Sequence, residues 1–249
     1  MKSPILACAA LVLALAGPSV AQETPQTGAP AEWAIPMVEP QIFTFLQADR
    51  LEGRTSDGEE GYLLDLQGWV GTDTSKFWGK VEGDGIVDGP LEALEVQALY
   101  SRMISPFFDL QVGLRQDVTP DVSRTHAVVG VQGLVPYWFE VDAAAFVSHT
   151  GDVTVRLEAE YALLFSQRLV LQPRTEVNVA FQEIEALGIG SGLSSAEVGL
   201  RLRYEIRREL APYVGVSWRQ TVGGTADFAR AAGDRSATTS FVAGLRLWF

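Results

Sequence analysis

The last twelve residues, Thr238–Phe249, read TTSFVAGLRLWF and constrain the chain more than any other stretch. Thr239, Phe241, Ala243, Leu245, Leu247 and Phe249 fall on one face at a spacing of two, and Ser240, Gly244 and Arg246 fall on the other. That period belongs to a strand, whose side chains point alternately to opposite faces. Chain ends fray in most soluble domains. A strand this apolar in that position suits a closed barrel in lipid, where every backbone N–H and C=O needs a partner and the final strand pairs with the first. Phe249 would then join an aromatic girdle at headgroup level.

The alternation recurs along the chain from Ile42 onward. The first strand, Ile42–Glu52, is ambiguous because Phe43 and Phe45 share a face with Gln47 and Asp49; a bulge or partial entry from the periplasmic side would account for it. Later segments are cleaner. Leu94, Val96, Ala98 and Tyr100 oppose Glu95, Gln97 and Ser101 in the fourth, and Val198, Leu200, Leu202, Tyr204 and Ile206 oppose Glu197, Arg201, Arg203, Glu205 and Arg207 in the tenth. About twelve such segments fit between residues 41 and 249, an even number, as bacterial single-chain barrels require. The expectation is an all-β fold, an antiparallel transmembrane β-barrel of about 12 strands. Its apolar set faces lipid and its charged set, mixed in sign, faces the lumen. A soluble barrel would invert that arrangement.

Composition supports strands over helical spans. The chain is 47% hydrophobic with mean hydropathy +0.11, yet beyond the first twenty or so residues no apolar run approaches the ~18 needed for a membrane helix. A net charge of -12 argues against nucleic acid as a partner. The start reads as a secretory signal over residues 1–21: Lys2, an apolar stretch from Ile5 to Ala16, then Pro18-Ser19-Val20-Ala21 as a small-residue cleavage site. Cys8, the only cysteine, would leave with it, so the mature chain would have no disulfide and no thiolate chemistry. Residues 22–40, rich in Pro, Ala, Gln and Thr, read as a disordered periplasmic tail.

The connections are asymmetric in the expected sense. With the start of the barrel in the periplasm, the outward loops include EGRTSDGEEG, GDGIVDGP, EIEALGIGSGLS and the long TVGGTADFARAAGDRSA, with Asp227, Arg230 and Asp234 placed to fold that loop over the mouth. Several of the opposite turns are tight and set Pro beside aromatics: Pro106-Phe107-Phe108, Pro136-Tyr137-Trp138 and Pro212-Tyr213, expected to supply an inner girdle.

Several long strings carry a family resemblance. PYWFEVDAAAFVS, RLEAEYALLFSQRLVLQPR, GLRLRYEIRRELAPYVGVSW, TADFAR before FVAGLRLWF, and earlier FTFLQADRLE and EVQALYSRMISPFFDLQVGLRQD, together make the chain similar to the copper resistance protein B family of bacterial outer-membrane proteins, over about Ile42 to Phe249. The resemblance implies a barrel of the outer membrane, in contact with its lipid, that serves copper tolerance by binding copper ions or passing them across, commonly alongside a periplasmic copper oxidase. Many members carry a Met- and His-rich N-terminal segment; residues 22–40 here offer only Met37 and no histidine.

Copper favours imidazole, thioether or thiolate, with carboxylate weaker. The candidate ligands are therefore His126, on the polar face of the sixth strand beside Arg124; His149, in the loop before Asp152; Met103, near the Ser105-Pro106 turn; and Met37. Each has a plainer reading: His126 as a hydrogen-bonded lumen residue, His149 as a solvated turn. Acidic pairs such as Glu140 with Asp142 and Glu158 with Glu160 would attract cations to the lumen, or simply pair with its arginines. No enzyme is expected: two histidines leave little room for acid–base work, and His149 with Asp152 is the one hydrolase-like pair. A general pore or structural barrel without metal selectivity is the competing function.

Overall fold

The computed structural model describes residues 41–249 except 88, 90 and 121. The expected signal 1–21, the expected tail 22–40 and Met37 lie outside the described residues. Alternation over the rest builds thirteen strands among the described residues: β1 Phe43–Ser56, β2 Glu59–Gly71, β3 Ser75–Ile86, β4 Leu91–Ser105, β5 Phe108–Val118, β6 Ser123–Val135, β7 Phe139–Ser148, β8 Val153–Glu160, β9 Leu163–Leu164, β10 Leu169–Ala180, β11 Gly192–Tyr204, β12 Leu210–Thr221 and β13 Ala237–Trp248. Twelve of them pair antiparallel with their neighbours in sequence order, and β13 returns to β1, so the sheet closes on itself. The two-residue β9 is an appendage on β10.

The seam is made by the residues the alternation singled out. Gly244 opposes Glu52 and Val242 opposes Arg54, and at the end of the ladder Leu46 and Phe249 exchange both backbone hydrogen bonds, at 3.1 and 2.8 Å. The ambiguity of the first strand is a bulge. Ala48 opposes Leu66 and Arg50 opposes Asp65, which leaves Asp49 as the extra residue. The bulge shifts the facing by one, so Gln47 before it and Arg50 and Glu52 after it all point inward and are buried.

The barrel is inverted relative to a soluble one. Arg50 is 3% exposed and Arg201 4%, whereas Phe241 is 72% exposed and Val214 59%. Leu114, Val129, Leu157, Val198 and Leu200 join the exposed apolar set. The lumen is not wholly polar, however. Leu99, Val128 and Phe146 form a buried cluster on its inner wall, with Trp78 and Ala144 packed against it. These residues share a face with Gln97, His126 and Asp142, in positions where the alternating pattern had drawn attention only to the polar members.

Two features of the connections differ from expectation. Strand β11 begins at Gly192, so the outer loop expected to run through Ser194 is shorter, because Gly192 and Leu193 already pair with Ala180 and Val179. The long loop after β12 contains a helix, Gly223–Ala232, ended by Gly233 at φ 88°, a left-handed cap that glycine adopts without a side-chain clash. That helix leans on the β10–β11 loop: the Thr225 hydroxyl accepts the Gly190 N–H at 2.9 Å, while Asp227 and Arg230 pair with each other in solvent. At the opposite end Phe107, Tyr137, Trp138 and Phe165 stand exposed near Phe249 on the turns, as a girdle requires.

If the apolar exterior faces lipid, Leu200→Arg on the outer face of β11 is expected to cost about 2–4 kcal/mol of folding free energy in vesicles near the bilayer midplane. Denaturant titration of the vesicle-embedded protein measures it, and a loss near zero would argue for an aqueous exterior.

Candidate functional site

The half of the lumen nearer Phe43 and Phe249 encloses a cavity of about 310 Å³. Eight carboxylates line it, among them Asp49, Glu140 and Glu160, against four cations, Lys80, Arg156, Arg174 and Arg246. The strand registers explain the excess of negative charge. Glu140 on β7 lies directly opposite Glu160 on β8, and Asp142 directly opposite Glu158, so like charges face each other in two successive rows. Such rows are unfavourable unless cations sit among them. Arg246, reaching in from β13, is 3.0 Å from Asp49 and 3.9 Å from Glu160; Arg174 pairs with Glu158 and lies 3.7 Å from Glu176.

Cations outside the lining also reach the cavity's carboxylates, Arg115 holding Glu95 at 2.9 Å, and the lumen charges are closely matched. Arg50 holds Asp65 at 2.8 Å and Glu82 at 2.9 Å; Arg219 holds Glu197 at 2.8 Å. The tightest node lies at the seam. Glu52, whose side chain is fully buried, takes Arg201 at 3.0 Å, Arg54 at 2.8 Å and the Tyr213 hydroxyl as donor at 3.0 Å. Tyr213 was expected in the inner girdle; it lies instead inside the barrel, one turn of the alternation past Pro212, on the face shared with Gly215, Ser217 and Arg219. Its ring fits because Gly244 opposes it. A Cβ at Gly244 would fall 2.7 Å from the Tyr213 oxygen and 2.5 Å from the Leu51 carbonyl. Glu52 and Arg50 were equally hidden to sequence reasoning, since the Asp49 bulge reverses the facing of β1 just before them.

The candidate copper ligands do not converge. His126 lies on β6, paired with Arg115 on one side and Ser148 on the other, in the half of the lumen away from Phe249. Its Nδ1 is buried without a hydrogen-bond partner and stands 3.7 Å from the Asp117 carboxylate. His149 is exposed in the β7–β8 turn, its Nδ1 3.4 Å from the Thr125 carbonyl. Met103 is exposed near the opposite end of the barrel, opposite Asp109, whose carboxylate already holds Lys76 at 2.8 Å. Among the described residues no three His, Cys, Asp or Glu side chains are grouped to hold a metal ion. One unpartnered imidazole beside one carboxylate is a partial ligand set, open to a passing ion and too sparse to enclose a resident one.

Nor do His149 and Asp152 form a pair. Asp152 accepts hydrogen bonds from Arg124, Thr150 at 2.7 Å, Ser148 at 3.2 Å and Gln182 at 3.4 Å. The Thr150 hydroxyl does most to hold its carboxyl below the ordinary aspartate range; partial burial opposes this, and Gln182, Arg124 and Ser148 add to the lowering.

Comparison with known proteins adds a second line of information. A family model described as copper resistance protein B precursor matches residues 42–249. Copper resistance protein B of Escherichia coli is 46% identical over 201 residues, covering 81% of this chain and 68% of that protein. A copper resistance protein B homolog of Pseudomonas syringae pv. tomato is 41% identical over 208 residues, covering 84% and 70%. Among solved structures, the NanC porin superposes with a TM-score of 0.56 at 12% identity, over 81% of this chain and 98% of that one. The KdgM porin does so with a TM-score of 0.50 at 12% identity, over 82% and 98%. At that identity the likeness concerns the fold alone.

Two expectations follow from the geometry. Removing one partner of a buried ion pair leaves the other charge unmatched, so Glu52→Ala is expected to destabilise the barrel by about 3–5 kcal/mol in denaturant titration; an unchanged midpoint would mean that the node is not needed. The depressed Asp152 carboxyl is stabilising above the ordinary aspartate value and loses that contribution as pH falls through its own lower value. A carbonyl-detected NMR titration should accordingly place its midpoint below the ordinary one, moving upward in Thr150→Ala; a midpoint at or above the ordinary value would refute the assignment.

Proposed function

This chain belongs to the copper resistance protein B family, and from that premise we propose that it serves copper tolerance as an outer-membrane barrel that binds copper ions or passes them across the outer membrane. The observation that carries the reading is the distribution of charge: an apolar belt outside, a lumen of ionic groups inside, and a cavity with twice as many carboxylates as cations. The porin-like fold supports placement in an outer membrane, with the Phe43 and Phe249 end toward the periplasm and the loop helix outside.

In this reading copper is cargo. Carboxylates bind a divalent or monovalent cation weakly and exchange it quickly, and His126 with Asp117 offers a firmer but incomplete contact in the other half of the lumen. The cavity gathers cations on the periplasmic side, where a periplasmic copper oxidase would be the partner that meets them. Weak, scattered ligands suit passage, since conduction needs binding strong enough to enter and weak enough to leave.

Copper titration of the refolded barrel is expected to give saturable binding that His126→Ala weakens, and the gene carrying that substitution is expected to restore copper tolerance to a deletion strain only in part. No saturable binding, together with unchanged tolerance on deletion, would leave a general pore or a structural barrel as the function.

A further inference from the structure

Several lumen ion pairs span the ring instead of joining neighbouring strands; two close ones, besides the looser Arg246–Glu160 contact at 3.9 Å, join walls four strands apart. Lys80 on β3 reaches Asp142 on β7 at 2.7 Å, and Arg156 on β8 reaches Glu95 on β4 at 2.9 Å. Arg156 also stands 3.7 Å from Glu82 on β3 and 3.8 Å from Glu176 on β10. These are chords across the ring. Each rests on the aromatic wall: Lys80 lies 5.8 Å from the centre of the Trp78 ring, and Arg156 5.7 Å from that of Phe146. Arg115, 4.4 Å from the same Phe146 ring, shares the Glu95 carboxylate at 2.9 Å. The four groups of the two chords, Lys80, Asp142, Arg156 and Glu95, line the cavity together with Glu82, whereas Asp117, His126 and the Glu52 node do not. The chords therefore mark the boundary between the acid-rich cavity and the half of the lumen that holds His126.

We propose that the Lys80–Asp142 and Arg156–Glu95 chords form a latch that closes the lumen, each chord blocking part of its cross-section. A cation arriving in the cavity competes with Arg156 for Glu95 and Glu82; when it wins, the guanidinium is left to Glu176 on its own side of the barrel and the chord opens. The arriving cation takes the place of the guanidinium on Glu95 and Glu82 while Arg156 keeps Glu176, so neither side of the chord is left as an orphaned buried charge, and the barrier to opening is small compared with that of breaking a buried pair outright. The aromatic rings hold the basic side chains in position while unpaired, since a cation over a ring face retains part of its stabilisation. The latch rests on the lumen being the route for cations and is indifferent to which cation uses it.

The test is conductance of the full-length barrel in planar lipid bilayers with potassium chloride, on wild type, Arg156→Ala, and the double variant Lys80→Ala with Asp142→Ala, each shown to be folded by its circular dichroism and heat-dependent gel mobility. Wild type is expected to conduct poorly, and each variant several-fold more. Because the double variant removes both partners, it leaves no orphaned charge and keeps the test open if Arg156→Ala does not fold. Folded variants that conduct no more than wild type would overturn the latch, as would a wild-type barrel already as conductive as the variants. Copper tolerance conferred by the same variants separates the two proposals. Tolerance with unchanged conductance removes the latch and leaves the copper reading; raised conductance without any dependence of tolerance on the gene keeps the latch and removes copper.

Discussion

Everything in this molecule depends on the pairing of β13 with β1. A strand in lipid has no water to satisfy its N–H and C=O groups, so the sheet has to close, and closure here ends on the paired hydrogen bonds between Leu46 and Phe249. Once the ring is shut, each strand has one face toward lipid and one toward the lumen, and the alternation of the sequence becomes a partition between two media. The exposed Phe241 and the buried Arg201 are two sides of that partition.

Closure creates a second problem, which is how to fill the inside. Charged side chains removed from bulk water need partners, and the lumen provides them almost residue for residue: Arg50 with Asp65 and Glu82, Arg201 with Glu52, Arg219 with Glu197. Where the ionic network thins, on the wall made by β3 to β7, Leu99, Val128 and Phe146 pack instead and Arg115 lies over the phenyl ring. The interior is thus a packed structure with two walls of different chemistry. The cavity lies between them, which is why carboxylates and aliphatic groups line the same space.

The same packing sets like charges face to face and places cations among them, Lys80 holding Asp142 at 2.7 Å and Arg174 holding Glu158. Facing rows of like charge at Glu140 and Glu160, and at Asp142 and Glu158, are an unfavourable arrangement that cations relieve. Imidazole and thioether are scarce in the described lumen, where His126 stands beside Asp117.

Much of this was legible in the sequence, because a period of two is imposed by the backbone and survives any tertiary arrangement. The number of spanning strands, the terminal strand as the seam, the lumen position of His126 and the membership suggested by its long strings all follow from residue order. Other features were not legible, for physical reasons specific to each. The Asp49 bulge reverses the facing of β1, so the inward positions of Arg50 and Glu52 depend on which residue is left unpaired. Tyr213 beside Pro212 looks like part of a turn until Gly244, directly opposite on the next strand, leaves room for its ring inside. The helix of the long loop forms where it can lean on the β10–β11 loop. What the sequence by itself determined was which side chains share a face, since that is local geometry; which charges meet across the lumen was decided only by closure, because the partners of Lys80 and Arg156 come from strands far apart in the chain and are brought within reach by the curvature of the ring.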